Sequence, residues 1–246
     1  MTSRARVTSG DTDWVAAGCS QTGASRSTNM DAYVAVPERG VFVLADGVGS
    51  TERGSEAAWL AVTEFARALP DLHDEDAART AVAAVQRLVL AEFLDGEDLS
   101  GAATLCAALL DGPRLLVVNL GDSRCYLLHD GILTQLTTDH TVAGHLVAIG
   151  ATEPGSPLAR RTTHHLQRYL GARTDSEPEI GWHEIRSGDT MLLSSDGLHG
   201  AVPAARMAEL LLAHPDPAAA ARALVDEAVG NGGTDDATAL VVRPAA

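Results

Sequence analysis

The sequence predicts an α+β domain in which sheets pack face to face and helices cover them from outside. Three observations carry this reading. Short apolar runs of strand type occur near both ends of the chain. A pair of amphipathic helical stretches interrupts them after the third run, and a second pair precedes the last strand. No Gly/Ser- or Pro-rich linker, repeat or low-complexity segment divides the 246 residues, so they read as one domain, 1–246. A chain of this length buries about 70–75% of its unfolded surface, enough for a sizeable core.

The elements follow in order. Residues 14–19, 32–36 and 41–45 are the first apolar runs. Pro37-Glu38-Arg39-Gly40 between the last two is hairpin-like punctuation. From 55 to 69, Ala57, Leu60, Ala61, Phe65, Ala68 and Leu69 recur at helical spacing; from 75 to 93, Ala77, Ala81, Val82, Val85, Leu88, Val89 and Phe93 do the same. The turn Pro70-Asp71 separates these two helices and predicts an antiparallel pair. Strands return at 104–110, 114–120 and 123–128, with turns at Asp111-Gly112-Pro113 and Asp130-Gly131. Residues 137–173 keep no clean period and read as a short helix plus an irregular flap. Further strands are expected at 181–185, 190–194 and 237–243. Helices are expected at 204–213 and 217–229, the second with Asp216 as N-cap and Pro217 in its first position.

Composition narrows the function classes. Lys plus Arg is 18 against 33 Asp plus Glu, a formal charge of −15. Such a chain repels nucleic acid and anionic lipid unless it carries a basic patch, so neither is expected as a partner. The densest basic stretch, Arg160, Arg161, His164, His165 and Arg168, falls in the flap and reads as a solvated loop. Cys19, Cys106 and Cys125 show no CxxC or Cys/His spacing and are expected as buried, reduced thiols. The N-terminus lacks the apolar region of a signal peptide, and no run approaches the ~20 apolar residues of a membrane helix. A cytoplasmic protein is expected.

Four aspartates stand at abrupt strand ends. Asp46 closes Val-Phe-Val-Leu-Ala before Gly47, Asp122 follows Asn119-Leu120-Gly121, Asp196 follows Ser194-Ser195, and Asp235 leads into the last strand. Any one Asp-Gly pair is an ordinary turn. Four at strand ends can point into one cleft, where they repel one another and raise each other's pKa. Hard cations relieve that repulsion, and Mg²⁺ or Mn²⁺ prefer carboxylate oxygens with retained water. Zinc spacing such as HExxH is absent.

Seven short motifs in order then resemble the protein phosphatase 2C (PPM) family of bacterial metal-dependent serine/threonine phosphatases. They are Arg26-Ser-Thr-Asn29-Met30-Asp31, Asp46-Gly47-Val48-Gly49-Ser50, Gly101-Ala-Ala-Thr104, Gly121-Asp122-Ser123-Arg124, Leu170-Gly171-Ala172, Ser195-Asp196-Gly197-Leu198 and Asp235-Asp236-Ala237-Thr238. The resemblance implies a four-layer α-β-β-α sandwich of two antiparallel sheets with helix pairs outside. It implies two core Mn²⁺ or Mg²⁺ ions and a weaker third. Asp46 would bridge the first two ions and the Gly47 carbonyl would ligate one. Asp196 and Asp235 would complete the first, Asp31 would serve the second, and Asp122 with Asp196 the third. Arg26 and Asp46 would be the catalytic pair, with Arg26 gripping the phosphate.

The implied reaction is hydrolysis of phosphoserine or phosphothreonine by a hydroxide shared between paired cations, with no covalent phosphoenzyme. Phosphoproteins are the implied partners, opposite a serine/threonine kinase, and a monomer is expected. Two residues depart from the family pattern. Met30 replaces a usual Glu beside the second ion, and Val48 stands where some members carry a proposed proton donor, leaving that donor open between a metal-bound water and, more weakly, His140 or His145. Ser194 and Ser195 lack a Gly-x-Ser-x-Gly elbow and are expected to orient Asp196 by strand-end hydrogen bonds. Arg124 is expected as a structural ion-pair donor. Two alternatives stay open: a catalytically silent phosphoprotein-binding module of the same fold, and a metal-dependent phosphodiesterase.

Overall fold

The computed structural model describes residues 2–9, 12–49, 52–69, 74–174 and 176–245, so the turn at Pro70-Asp71 and residue Ser50 lie outside the described residues. In chain order the elements are β1 (Thr2–Ser9), β2 (Thr12–Gln21), β3 (Asp31–Val36), a 3-10 turn (Pro37–Arg39), β4 (Val41–Val48), α1 (Glu52–Ala68) and α2 (Glu75–Phe93). There follow β5 (Leu94–Asp95), β6 (Asp98–Leu99), β7 (Ala102–Ala103), β8 (Leu105–Asp111), β9 (Arg114–Leu120), β10 (Arg124–His129) and β11 (Ile132–Gln135). The flap contains α3 (Val142–Ala148) and α4 (Pro157–Thr162). The chain continues through β12 (Glu179–Glu184), β13 (Thr190–Ser194), α5 (Asp196–His199), α6 (Ala204–Ala213), α7 (Pro217–Gly230) and β14 (Ala237–Pro244).

Two antiparallel sheets form the centre. One runs β1-β2-β14-β13-β10-β11; the other runs β12-β9-β8-β4-β3, with β7 beside β4. Three apolar clusters make four layers of them. Phe42, Leu44, Leu115, Met191, Leu193 and Leu240 fill the space between the sheets. Phe65, Val62, Val85 and Val89 of α1 and α2 pack on Val43, Leu105 and Val118 of the second sheet. Met207 and Leu211 of α6 and Leu224 and Val225 of α7 pack on Leu192 and Val241 of the first. The α-β-β-α architecture expected from the sequence is therefore the observed one, and its core is built largely from Ala, Val and Leu.

Helix starts obey local chemistry. The Asp74 carboxylate accepts from Ala77 N–H ahead of α2, and Asp216 accepts from Ala218 and Ala219 N–H ahead of α7. The flap differs from expectation in holding two short helices rather than one. Thr141 caps α3 through Gly144 N–H, and Ser156 caps α4 through Ala159 N–H with Pro157 in its first turn. The segment at 37–40 is a 3-10 turn, closed by Gly40 at φ 62°, where a side chain would be strained. The strand β1, the edge strand β11 and the small β5–β6 hairpin are additions that the apolar pattern did not announce. Among the described residues no helix is long and apolar enough to cross a membrane.

Candidate functional site

The antiparallel registers bring the aspartates together. Asp31 opens β3 and lies directly opposite Asp46 of β4, a like-charge cross-strand pair that is unfavourable by itself. Asp196 follows β13 at the start of α5, Asp235 precedes β14, and β13 pairs with β14. Asp122 lies in the turn between β9 and β10, which joins the two sheets. Each sheet thus delivers carboxylates to the same end of the sandwich.

Their electrostatics record the crowding. Burial pushes Asp46 well above the usual carboxylate range, and Asp31, Asp196, Asp122 and Asp235 push it further. Asp31 is raised too, chiefly by burial, against hydrogen bonds from Thr238 and Ser195 that pull it down. Asp122 is pushed up to about 7 by burial and then by Asp196. Asp196 goes the other way. Burial again pushes upward, but a hydrogen bond from His164 and the nearby His199 outweigh it.

Neighbouring polar groups hold these carboxylates in place. Asp31 Oδ2 accepts from Ser195 Oγ at 2.7 Å and from Thr238 Oγ1 at 2.6 Å. Ser195 therefore orients Asp31 rather than Asp196, because its hydroxyl points back across the sheet gap to β3. Ser194 instead meets His199 Nδ1 at 2.9 Å. Thr104 Oγ1 accepts from Asp46 N–H at 2.8 Å and lies 2.8 Å from Ser123 Oγ, which ties Asp46 to the residue beside Asp122. Asp236 accepts from Gly23 N–H at 2.9 Å and Met30 N–H at 2.7 Å, pinning the Arg26 loop to the start of β14. Gly47 is held where a Cβ would lie 2.3 Å from Gly54 O, so only glycine lets α1 approach β4 this closely.

The Arg26 guanidinium borders the cluster. Its Nη2 lies 2.8 Å from Asp235 Oδ1 and its Nε donates to the same oxygen at 3.0 Å. Burial lowers the Arg26 pKa, but Asp235, Asp236 and Asp46 together raise it, so its charge is secure. Met30 is buried, with its Sδ 3.8 Å from Arg26 Nη1. Of the flap histidines, His140 is buried and its Nδ1 accepts from Gly121 N–H at 3.1 Å. His145 is exposed on α3. The imidazole that reaches the cluster is His164, whose Nδ1 is 3.5 Å from Asp196 Oδ2. It had been visible in sequence only as part of a basic stretch. Arg124 forms a bidentate pair with Asp139 at 2.8 and 2.6 Å, the structural role expected of it.

These donors suit hard divalent cations. Among the described residues no three His, Cys, Asp or Glu side chains already close around one ion position. Two buried oxygens, Asp31 Oδ1 and Asp196 Oδ1, have no hydrogen-bond partner. Buried and partnerless carboxylate oxygens are costly unless something positive meets them. All-oxygen donors facing one another in this way fit Mg²⁺ or Mn²⁺.

Known proteins resemble this chain over most of its length. The serine/threonine protein phosphatase PstP of Mycobacterium tuberculosis is 35% identical over 226 residues, covering 90% of this chain but 43% of that protein, so the chain spans under half its length. The serine/threonine phosphatase stp of Listeria monocytogenes is 30% identical, over 82% of this chain and 84% of its own. The crystal structure of the M. tuberculosis phosphatase PstP superposes with a TM-score of 0.84 at 34% identity, covering 94% of this chain and 98% of that one. The catalytic domain of PstP in complex with two manganese ions superposes at 0.82 and 33% identity, covering 95% and 99%. The family described as protein phosphatase 2C matches residues 21–227, and with these likenesses it shows that the chain belongs to the protein phosphatase 2C family.

Proposed function

We propose that the chain is a metal-dependent phosphatase of phosphoserine and phosphothreonine in proteins, acting as a single domain over 1–246. The observation that carries this reading is the convergence of Asp31, Asp46, Asp122 and Asp196 from both sheets, with Arg26 at their border. Asp46, Asp196, Asp235 and the Gly47 carbonyl would hold the first of two Mn²⁺ or Mg²⁺ ions. Asp46 and Asp31 would hold the second, and Asp122 with Asp196 a weaker third. When bound, such ions supply Lewis acidity, making a water acidic enough to attack near neutral pH and neutralising charge on phosphoryl oxygens.

The chain's own residues supply the rest. Arg26 presents planar guanidinium donors that match two phosphate oxygens. Its Nε and Nη2 are steadied by Asp235, while among the described residues Nη1 makes the long contacts to Gly49 O at 3.4 Å and Met30 Sδ at 3.8 Å, so it is the arm that would turn toward phosphate. Thr104 holds the Asp46 backbone, and Ser195 and Thr238 hold the Asp31 carboxylate, which limits the reorganisation that binding would demand of them. A thiol route has no support. Cys19, Cys106 and Cys125 are buried, and burial pushes Cys125 up to about 12 and Cys106 well above its ordinary value. The Ser195 proton is committed to Asp31, which disfavours it as a nucleophile.

Phosphoproteins made by an opposing serine/threonine kinase are the proposed substrates, the cytoplasm the proposed compartment, and a monomer the proposed state. The deciding experiment follows p-nitrophenyl phosphate and a phosphothreonine peptide across a Mn²⁺ titration for wild type, Asp46→Ala and Asp196→Ala. Wild type should turn over only with metal, and each variant should lose at least a hundredfold, on the scale of a lost electrostatic element of an active site. Metal-independent turnover, or binding of the peptide without hydrolysis, sinks the reading. The latter result would support the silent module that Met30 keeps in contention.

A further inference from the structure

A groove of about 1230 Å³ runs from the carboxylates along the flap. Asp196 and Asp235 of the carboxylate cluster are part of its lining. Ala143, Val147 and Ala148 of α3, Arg160 of α4, Ala201 and the loop at 231–234 line it as well. Clefts that enclose a whole small molecule run to roughly 300–1,000 Å³. A phosphorylated side chain at the carboxylates therefore leaves most of this space over.

The charges around it are unevenly satisfied. Arg124 and Asp139 neutralise each other on the floor. His164 sits against Asp196, and Arg26 occupies Asp235. Among the described residues that line the groove, Arg160 is the charged group with no ion-pair partner. It is exposed, and its guanidinium donates to the Gly155 carbonyl within the flap itself. Arg161, the next residue on α4, is exposed as well. Among the described lining residues, this unpaired cation stands on a protein of formal charge −15, where an acidic ligand would otherwise be repelled.

We propose that this groove receives the polypeptide flanking the phosphorylated residue, and that Arg160 selects substrates with an acidic side chain there. The proposal rests on the phosphatase reading above and adds a specificity rule to it. The lining of Ala and Val side chains accepts the peptide without demanding a particular shape, so charge at Arg160 becomes the discriminating contact.

The test measures affinity rather than turnover. Fluorescein-labelled decapeptides carry a non-hydrolysable phosphonate at the centre, flanked within four positions on both sides by either Glu or Lys. Their Kd values are read by anisotropy with saturating Mn²⁺. Wild type should prefer the Glu peptide, and Arg160→Glu should cut that preference about five- to tenfold, the range of an exposed charge reversal. Ala148→Trp, which fills the groove from an exposed position, should weaken both peptides. Both variants should hydrolyse p-nitrophenyl phosphate within about twofold of wild type, since that substrate is too small to need the groove. Unchanged peptide preference in Arg160→Glu, or unchanged peptide affinity in Ala148→Trp, overturns the proposal. Failure of wild type to hydrolyse p-nitrophenyl phosphate instead removes the phosphatase reading, while the peptide affinities still decide the groove.

Discussion

Among the described residues Asp31 accepts two hydrogen bonds on Oδ2 and none on Oδ1, so Oδ1 is the oxygen that would meet a cation in the proposed site. The Thr238 hydroxyl is half of that grip, and Val would preserve its shape without its donor. Thr238→Val should cost about 1–3 kcal/mol in a urea titration and raise the Mn²⁺ concentration needed for half-maximal turnover. An unchanged urea midpoint would mean Ser195 holds Asp31 alone. His140 offers a pH prediction away from the carboxylates. Burial and then Arg168 push it down to about 4 against a slight upward pull from Asp139, with Arg168 Nη1 3.4 Å and Glu179 4.0 Å from its Nε2. An imidazole of depressed folded pKa takes up its proton more readily when unfolded. Stability from this group is therefore whole above about pH 6.5 and drains as pH falls toward 4, by up to about 3 kcal/mol. His140→Asn keeps an acceptor for Gly121 N–H without the titration, so its stability should fall less between pH 7 and 5. Parallel pH–stability curves for the two proteins would refute the role. Carboxylate titrations are common to both and cancel in the difference.

Whole elements have their own dependence on single residues. Gly47 lets α1 sit on β4, and Gly47→Ala would drive a Cβ against the Gly54 carbonyl. Overpacking of this kind costs about 1–3 kcal/mol, and here it would also displace Asp46, so turnover should fall with stability. Asp216→Ala makes the contrasting case. It removes the cap of α7, whose side chain accepts from Ala218 and Ala219 rather than meeting the site aspartates, and should cost about 1 kcal/mol while leaving kcat/KM unchanged. Equal activity loss in both variants would show that the fold transmits helix damage to the site. The same contrast explains what was legible in the sequence. α2, β9, β13 and α6 were readable to the residue because apolar period and punctuation agree in them. β1, with its run Thr-Ser-Arg-Ala-Arg-Val-Thr-Ser, was not, since its pairing to β2 is what makes it a strand. The flap helices span 7 and 6 residues, too short for a period to declare itself, although their Thr141 and Ser156 caps were present. At the site, aspartates at strand ends were legible as strand-end punctuation. His164, Asp236 and the true partner of Ser195 were not, because each acts across a long sequence separation; Met30 N–H meets Asp236 from 206 residues away.

At the scale of the molecule, the two sheets are joined by the apolar layer between them and meet, at one end, in aspartates that repel. Asp31 and Asp46 come from the second sheet, Asp196 and Asp235 from the ends of β13 and β14 in the first. A cation held by both sets would replace repulsion by a cross-link between the sheets, so metal binding should stabilise the entire fold rather than a local loop. An ion that binds only the folded state at one hundred times its Kd contributes about 2.7 kcal/mol. For a chain of this size each kcal/mol moves Tm by about 2–4 °C, so saturating Mn²⁺ should raise Tm by about 5–10 °C over chelator. The formal charge of −15 supplies a competing cause, since any salt screens a crowded acidic surface. The two causes part in their dependence on particular residues. Screening should survive Asp196→Asn and should be reproduced by KCl at matched ionic strength. Cross-linking should be largely lost in Asp196→Asn, absent with KCl, and retained in Asp216→Ala. Hydrogen exchange adds the spatial reading: Mn²⁺ should slow amides of β3 and of β13 together, because an ion shared between sheets protects both. A Tm rise of equal size in Asp196→Asn, or protection confined to one sheet, would show that the carboxylates take up cations without joining the layers.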